Sequence, residues 1–202
     1  MPDTPGTTAV PENHVAPCSR AEWRAWLAAH HHRPGGVWLV LYKKAAAAPT
    51  LSTDDVVEEA IAFGWIDSVP KKLDAERWML WVAPRQAGSN WSRLSKTRAA
   101  RMEQAGQMAD AGRAAIERAR ADGSWASLDE VEDLVVPGDL GAALAALPPA
   151  RECWDAFPPS TRRGILEWIL NARREATRAA RIETTARLAQ VGKRANQWPG
   201  DE

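Results

Sequence analysis

Lys43, Lys44, Lys71, Lys72 and Arg85 all fall at or just beyond short apolar runs. Where strand ends converge, such cations form a basic rim able to hold a phosphate or a carboxylate, with Arg85 as the bidentate group. The plainer alternative is a solvated sheet edge guarded by lysine. Ser89, Trp91 and Ser92 stand just ahead of a helix start. Free N–H groups, two hydroxyls and a nearby arginine there suit an anion; N-capping by Ser92 or Ser95 is the alternative. Trp65 and Asp67 share one face of a strand, with Ile66 and Ser68 on the other. A carboxylate beside an indole either faces a ligand or accepts N–H bonds from a neighbouring turn. The candidate ligand-binding set is therefore Lys43, Trp65, Asp67, Lys71, Arg85, Ser89, Trp91 and Ser92. It is expected to gather around one concavity walled by Trp65 or Trp91.

Other residue clusters point less far. Asp54, Asp55, Glu58 and Glu59 crowd a helix start. A hard cation needs several oxygens at once, whereas a solvated, dipole-favoured N-terminus accounts for acids there. His30, His31 and His32 point about 100° apart on a helix and cannot easily chelate together. No CxxC, HExxH, GxSxG, P-loop or dinucleotide fingerprint is present. Cys18 and Cys153 have no partner motif. The expectation is binding rather than catalysis, with no metal and no cofactor; an enzyme centred on Asp67 and Arg85 is the rival reading. Between Arg162 and Arg194 nine basic residues face three acids. Arg173, Arg174, Arg178 and Arg181 could meet nucleic acid or an anionic membrane surface there, or simply cover core groups with their stems. The remaining partner classes are an unidentified protein and a small anionic ligand.

The elements that must position these residues follow from the pattern. The chain has 202 residues, 45% hydrophobic and 26% charged. That excludes wholesale disorder. Lys+Arg and Asp+Glu are both 26, so the chain as a whole implies no strongly electrostatic partner. Eleven tryptophans supply core anchors. No apolar run approaches the roughly 18 residues of a membrane span, and the polar start does not resemble a signal peptide; a cytoplasmic location is expected. Residues 1–18 read as a disordered leader or loose strap, with four prolines. Strands are expected over 37–43, 65–72 and 77–83, mostly antiparallel, against helices at 20–32 and 53–63, with Trp23, Trp26, Trp38 and Trp78 or Trp81 in the interface. From Ser92 on the pattern is helical, with an acidic linker at 129–133 and a hairpin of helices at 160–172 and 175–192. The fold class is α+β, with an α+β domain at 19–125 and an all-helical module at 136–194.

Several blocks then line up in order: Gly64-Trp65-Ile66-Asp67-Ser68, Lys71-Lys72, Ala83-Pro84-Arg85, Ser89-Asn90-Trp91-Ser92, Gly106-Gln107-Met108 and Gly123-Ser124-Trp125. Val136-Pro137, Ala142–Leu144 and the run Ala172–Ile182 complete the set. Over about 20–194 the sequence resembles the bacterial YdeI/OmpD-associated family. The resemblance implies a YjbR/CyaY-like α+β sandwich and a C-terminal module named for bacteriocin protection and porin association. It also implies a role in stress or antimicrobial-peptide resistance without established catalysis. One departure stands out: Ser95 occupies the position where the family usually carries Asn.

Overall fold

A computed structural model describes residues 9–46 and 48–196; Trp198 lies outside them. The elements run β1 (His14–Val15), α1 (Arg20–His30), β2 (Val37–Tyr42), α2 (Thr53–Ala62), β3 (Trp65–Asp67), β4 (Lys71–Lys72) and β5 (Arg77–Pro84). Helices follow: α3 (Arg93–Gln104), α4 (Asp110–Ala121), α5 (Asp129–Glu132), α6 (Gly138–Ala145), α7 (Ala150–Ala156), α8 (Pro159–Leu170) and α9 (Glu175–Gln190). The class is α+β, and the chain divides between Ala126 and Ser127 into two units.

In the first unit β5 is the hub. It pairs antiparallel with β2 on one side and with β3 and β4 on the other, while β1 runs parallel to β2. Alternation along β2 sends Val37, Leu39 and Leu41 to the helix side, where they join Trp23, Leu27, Val56, Ile61 and Trp65 in one core. Two of the buried indoles place their N–H groups on carbonyls: Trp23 Nε1 donates to Val56 O at 3.1 Å, and Trp65 Nε1 to His31 O at 3.2 Å. Trp26 stacks on Trp23 at 5.3 Å and meets Trp65 edge-on.

Three expectations change. Trp38 is not in the helix–sheet interface; its alternation puts it on the opposite face, cross-strand from Trp81. The leader is not without structure throughout: His14–Val15 pairs with Trp38–Leu39, and Asn13 Nδ2 donates to Gly36 O at 2.8 Å. Backbone pairing to a strand edge orders this polar stretch without a core of its own. The acidic linker at 129–133 contains the short helix α5, because Val131 is buried and draws the segment onto its neighbours.

Local signals set the boundaries. Ser19 caps α1 by accepting from Glu22 N, but Glu22 reaches back to Cys18 N at 2.8 Å, one residue earlier than a closed capping box. Ser52 and Asp55 close a full box at the start of α2. Gly64, with φ +74°, ends α2 and turns the chain into β3. The second unit gathers Leu140, Leu144, Trp154, Ile165, Leu166, Ile169 and Ile182 around its own core. Helices α8 and α9 pack on each other, with Trp168 and Leu188 half-buried against that core. Arg178 and Arg181, read from the sequence either as surface contacts or as stems over core groups, are half-buried and satisfied. Arg178 pairs with Asp139; Arg181 donates to Trp168 O and lies over the Trp168 ring at 4.8 Å.

Candidate functional site

The register of β5 decides which predicted site residues meet. Lys43 follows Tyr42, which pairs with Arg77 at the start of β5, and Lys43 N donates to Glu76 O. Arg85 follows Pro84 at its far end. An eight-residue strand at ~3.3 Å per residue holds these two positions about 23 Å apart or more. One concavity holding all eight residues is therefore not formed. Lys43 instead closes the turn before β5, its ammonium donating to Asp74 O at 3.0 Å and Ala75 O at 2.7 Å. Lys71 lies opposite Met79, midway along, with its ammonium 4.9 Å above the Trp38 ring. Trp65 is fully buried in the core.

The structure does bring together Arg85, Ser89 and Trp91. Arg85 is buried, donates from Nη1 to Asn90 O at 3.1 Å, and lies 3.8 Å from the Trp91 ring centroid. Burial pushes its guanidinium down to about 10, opposed by the nearby Asp67 charge. The void beside it, lined by Ser89, Trp91, Arg118, Asp122 and Ser124 among others, measures about 10 Å³. That is room for one water. Ser92 serves as N-cap of α3, accepting from Ser95 N at 3.2 Å, with the two hydroxyls 3.0 Å apart. Ser95, at the usual Asn position, thus completes a hydroxyl pair at the cap.

The acidic face of α2 is not a solvated N-terminus along its length. Glu58 and Glu59 are buried. Arg20 reaches Asp55, Glu58 and Glu59, Arg24 reaches Glu59, and Arg101 reaches Glu58. Arg98 pairs with Asp54. The carboxylates knit α1, α2 and α3 together. Among the described residues no group of three or more His, Cys, Asp or Glu gathers in a metal-holding arrangement, and no helix is long and apolar enough to cross a membrane.

Sequence reasoning missed a groove in the second unit. It lies between α6 and α9, with a volume of about 460 Å³. Ala143, Ala146, Leu147, Ala179, Ile182 and Ala186 line it with apolar groups, and Asp139, Glu175, Glu183 and Arg178 complete the wall. Arg178 is engaged by Asp139 through Nε at 2.8 Å and Nη2 at 3.0 Å. That pair of hydrogen bonds holds the Asp139 carboxyl below its ordinary range. The available signal was Ala179, Ile182 and Ala186 on one stripe of α9.

Residues 15–115, half of the chain, match the family described as a domain of unknown function, DUF8412. The chain belongs to that family. The DUF8412 match runs from β1 into α4 and replaces the YjbR/CyaY-like assignment that the resemblance implied for this part. Residues 133–192 match the family described as Bacteriocin-protection, YdeI or OmpD-Associated. The C-terminal unit of this DUF8412 protein is thus similar to a YdeI/OmpD-associated module, and the match takes in both walls of the α6–α9 groove. No curated protein and no solved structure matches the chain.

Proposed function

We propose that this is a non-enzymatic protein of antimicrobial-peptide protection, whose C-terminal module captures a cationic amphipathic peptide in the α6–α9 groove. The composition of that groove carries the reading. Its floor is alanine, leucine and isoleucine, so an apolar helix face can approach closely. Its wall holds three carboxylates against one guanidinium. Asp139 is occupied by Arg178, and Glu183 shares a surface pair with Arg187 at 2.7 Å. Such exposed pairs exchange partners cheaply, so peptide lysines can compete for Glu183 and meet Glu175 directly. The module's description as bacteriocin protection points to the same class of ligand.

The test is fluorescence anisotropy of a labelled Lys/Leu amphipathic peptide against the full chain. Ala179→Trp fills the groove and should weaken binding at least tenfold. Glu175→Lys inverts the rim; it should weaken binding several-fold and flatten the salt dependence. An acidic analogue of the peptide should not bind. Equal affinity for the acidic analogue, or no effect of Ala179→Trp, would overturn the reading.

A further inference from the structure

On the first unit, the sheet face opposite the helices carries a feature that neither family description assigns. Trp38 on β2 and Trp81 on β5 are cross-strand partners, with ring centroids 5.3 Å apart and planes at 63°. Both are half-buried. They border an open depression of about 500 Å³ completed by Ser68, Val69 and Lys71. That volume lies in the range of small-ligand sites.

The rim of the depression is made by a local irregularity. Asp67 pairs with Val82 and Lys71 with Met79, so four residue steps on one strand face three on the other. The extra residue makes a bulge at Ser68-Val69-Pro70. Ser68 N still donates to Trp81 O at 3.0 Å. Pro70 has no N–H to offer, and Val69 is 73% exposed. Among the described residues the Ser68 hydroxyl and Val69 N–H make no hydrogen bond within the protein. The bulge therefore leaves one hydroxyl and one N–H without a protein partner on two residues that line the depression.

Charge narrows the ligand. Lys71 supplies an ammonium over Trp38, and among the described residues no carboxylate lines the depression. An indole face, a hydroxyl and an N–H at its edge, and a lone cation match a flat heteroaromatic ring that carries a negative charge. A neutral sugar would leave the ammonium unused, and a bare phosphate would leave the indoles unused.

We propose that the Trp38–Trp81 depression binds a nucleobase-bearing anion, the base stacking on Trp81 and its phosphate held by Lys71. Stacking of this kind tolerates every base. The same chemistry belongs to a free nucleotide and to a single strand, and the test separates them. The proposal is independent of the peptide reading, since its residues lie in the other unit.

Isotope-labelled full chain is titrated with adenosine monophosphate and, separately, with oligothymidylate, following the indole N–H resonances of Trp38 and Trp81. Both resonances should move with a nucleotide, and neither with ribose or inorganic phosphate. Trp81→Ala should weaken binding tenfold or more. Lys71→Gln, at an exposed position that leaves the fold intact, should weaken it about tenfold. Oligothymidylate binding much more tightly than the mononucleotide supports a strand-tracking surface, and equal affinities support a single-nucleotide site. The proposal is overturned if neither nucleotide moves either indole, if ribose moves them equally, or if Lys71→Gln binds as the parent does.

Discussion

Arg85 lies over Trp91 with its guanidinium carbon 3.8 Å from the ring centroid, and both side chains are buried. The pair holds the loop from β5 to α3 by packing and by one bond to Asn90 O. The guanidinium's lowered value, about 10, says that burial works against its charge. Arg85→Ala removes the stem from a packed site and should cost about 2–4 kcal/mol. Arg85→Met keeps the volume and sheds the buried charge, so its cost should stay below about 1.5 kcal/mol. Urea unfolding of the two variants decides the matter. Equal losses would mean that the charge-assisted bond, not packing, holds the loop.

Gly112 seats α4 against the end of α2. Ala109 N donates to Ala62 O at 3.1 Å, satisfying a carbonyl that α2 leaves free. A Cβ at Gly112 would collide with that same Ala62 O and come within 2.5 Å of Met108 Sδ. Backbone cannot yield as a flexible side chain can. Gly112→Ala should therefore lose about 1–3 kcal/mol despite its better helix propensity. Gly164, where nothing lies within 4 Å, is the control: Gly164→Ala should be neutral or slightly stabilising. Calorimetry showing the two equal would contradict the described contact.

Glu59 is 2% exposed and holds Arg20 Nε at 2.7 Å and Arg24 Nη1 at 2.6 Å. Glu59→Ala removes the carboxylate partner of Arg24 and one of the three held by Arg20, which keeps Asp55 and Glu58; each guanidinium is about one-third exposed and can rehydrate. The loss should be about 2–4 kcal/mol, near the lower part of the range for broken buried pairs. Restoring wild-type stability with Glu59→Met would show that volume, not charge, matters at this position.

Acid should weaken the protein through identified carboxylates. Asp139 is held low by its bond from Arg178, and Asp55 by its bond from Ser52 and then Arg20. A carboxyl depressed in the folded state stabilises it above the ordinary range, near 4, and that contribution disappears as pH falls through the lowered folded value. Melting temperature should therefore fall progressively below about pH 5. Asp139→Asn should lower stability near neutrality and flatten part of the acid limb. An unchanged acid limb would place the titrating groups elsewhere.

Much of the fold could be read from local pattern. Ser19, Ser52 and Ser92 each cap the helix expected after them, because capping depends on neighbours three residues away. What failed depended on distant ones. Trp38 belongs to an apolar run, and only the register with Trp81 shows that the two indoles turn away from the helices. Lys43, Lys71 and Arg85 were read as one rim, but the length of β5 spreads them along the sheet. Glu58 and Glu59 were read as solvated; their arginine partners lie on α1 and α3, far away in the sequence. The α6–α9 groove is made by small residues whose stripe no described residue fills, and sequence spacing alone cannot tell a filled stripe from an open one.

The parallel pairing of His14–Val15 with Trp38–Leu39 has a consequence for solubility. β2 carries Val37, Leu39, Val40 and Leu41, all buried, a run rich in β-forming residues and free of charge. Covered by β1, it is an interior strand along those two residues. Stripped of β1, it would offer unpaired N–H and C=O groups beside an uncharged apolar segment, the combination that templates cross-strand association between molecules. The short polar stretch around Asn13 thus acts as a built-in guard against aggregation, and its loss would show first as self-association rather than as unfolding.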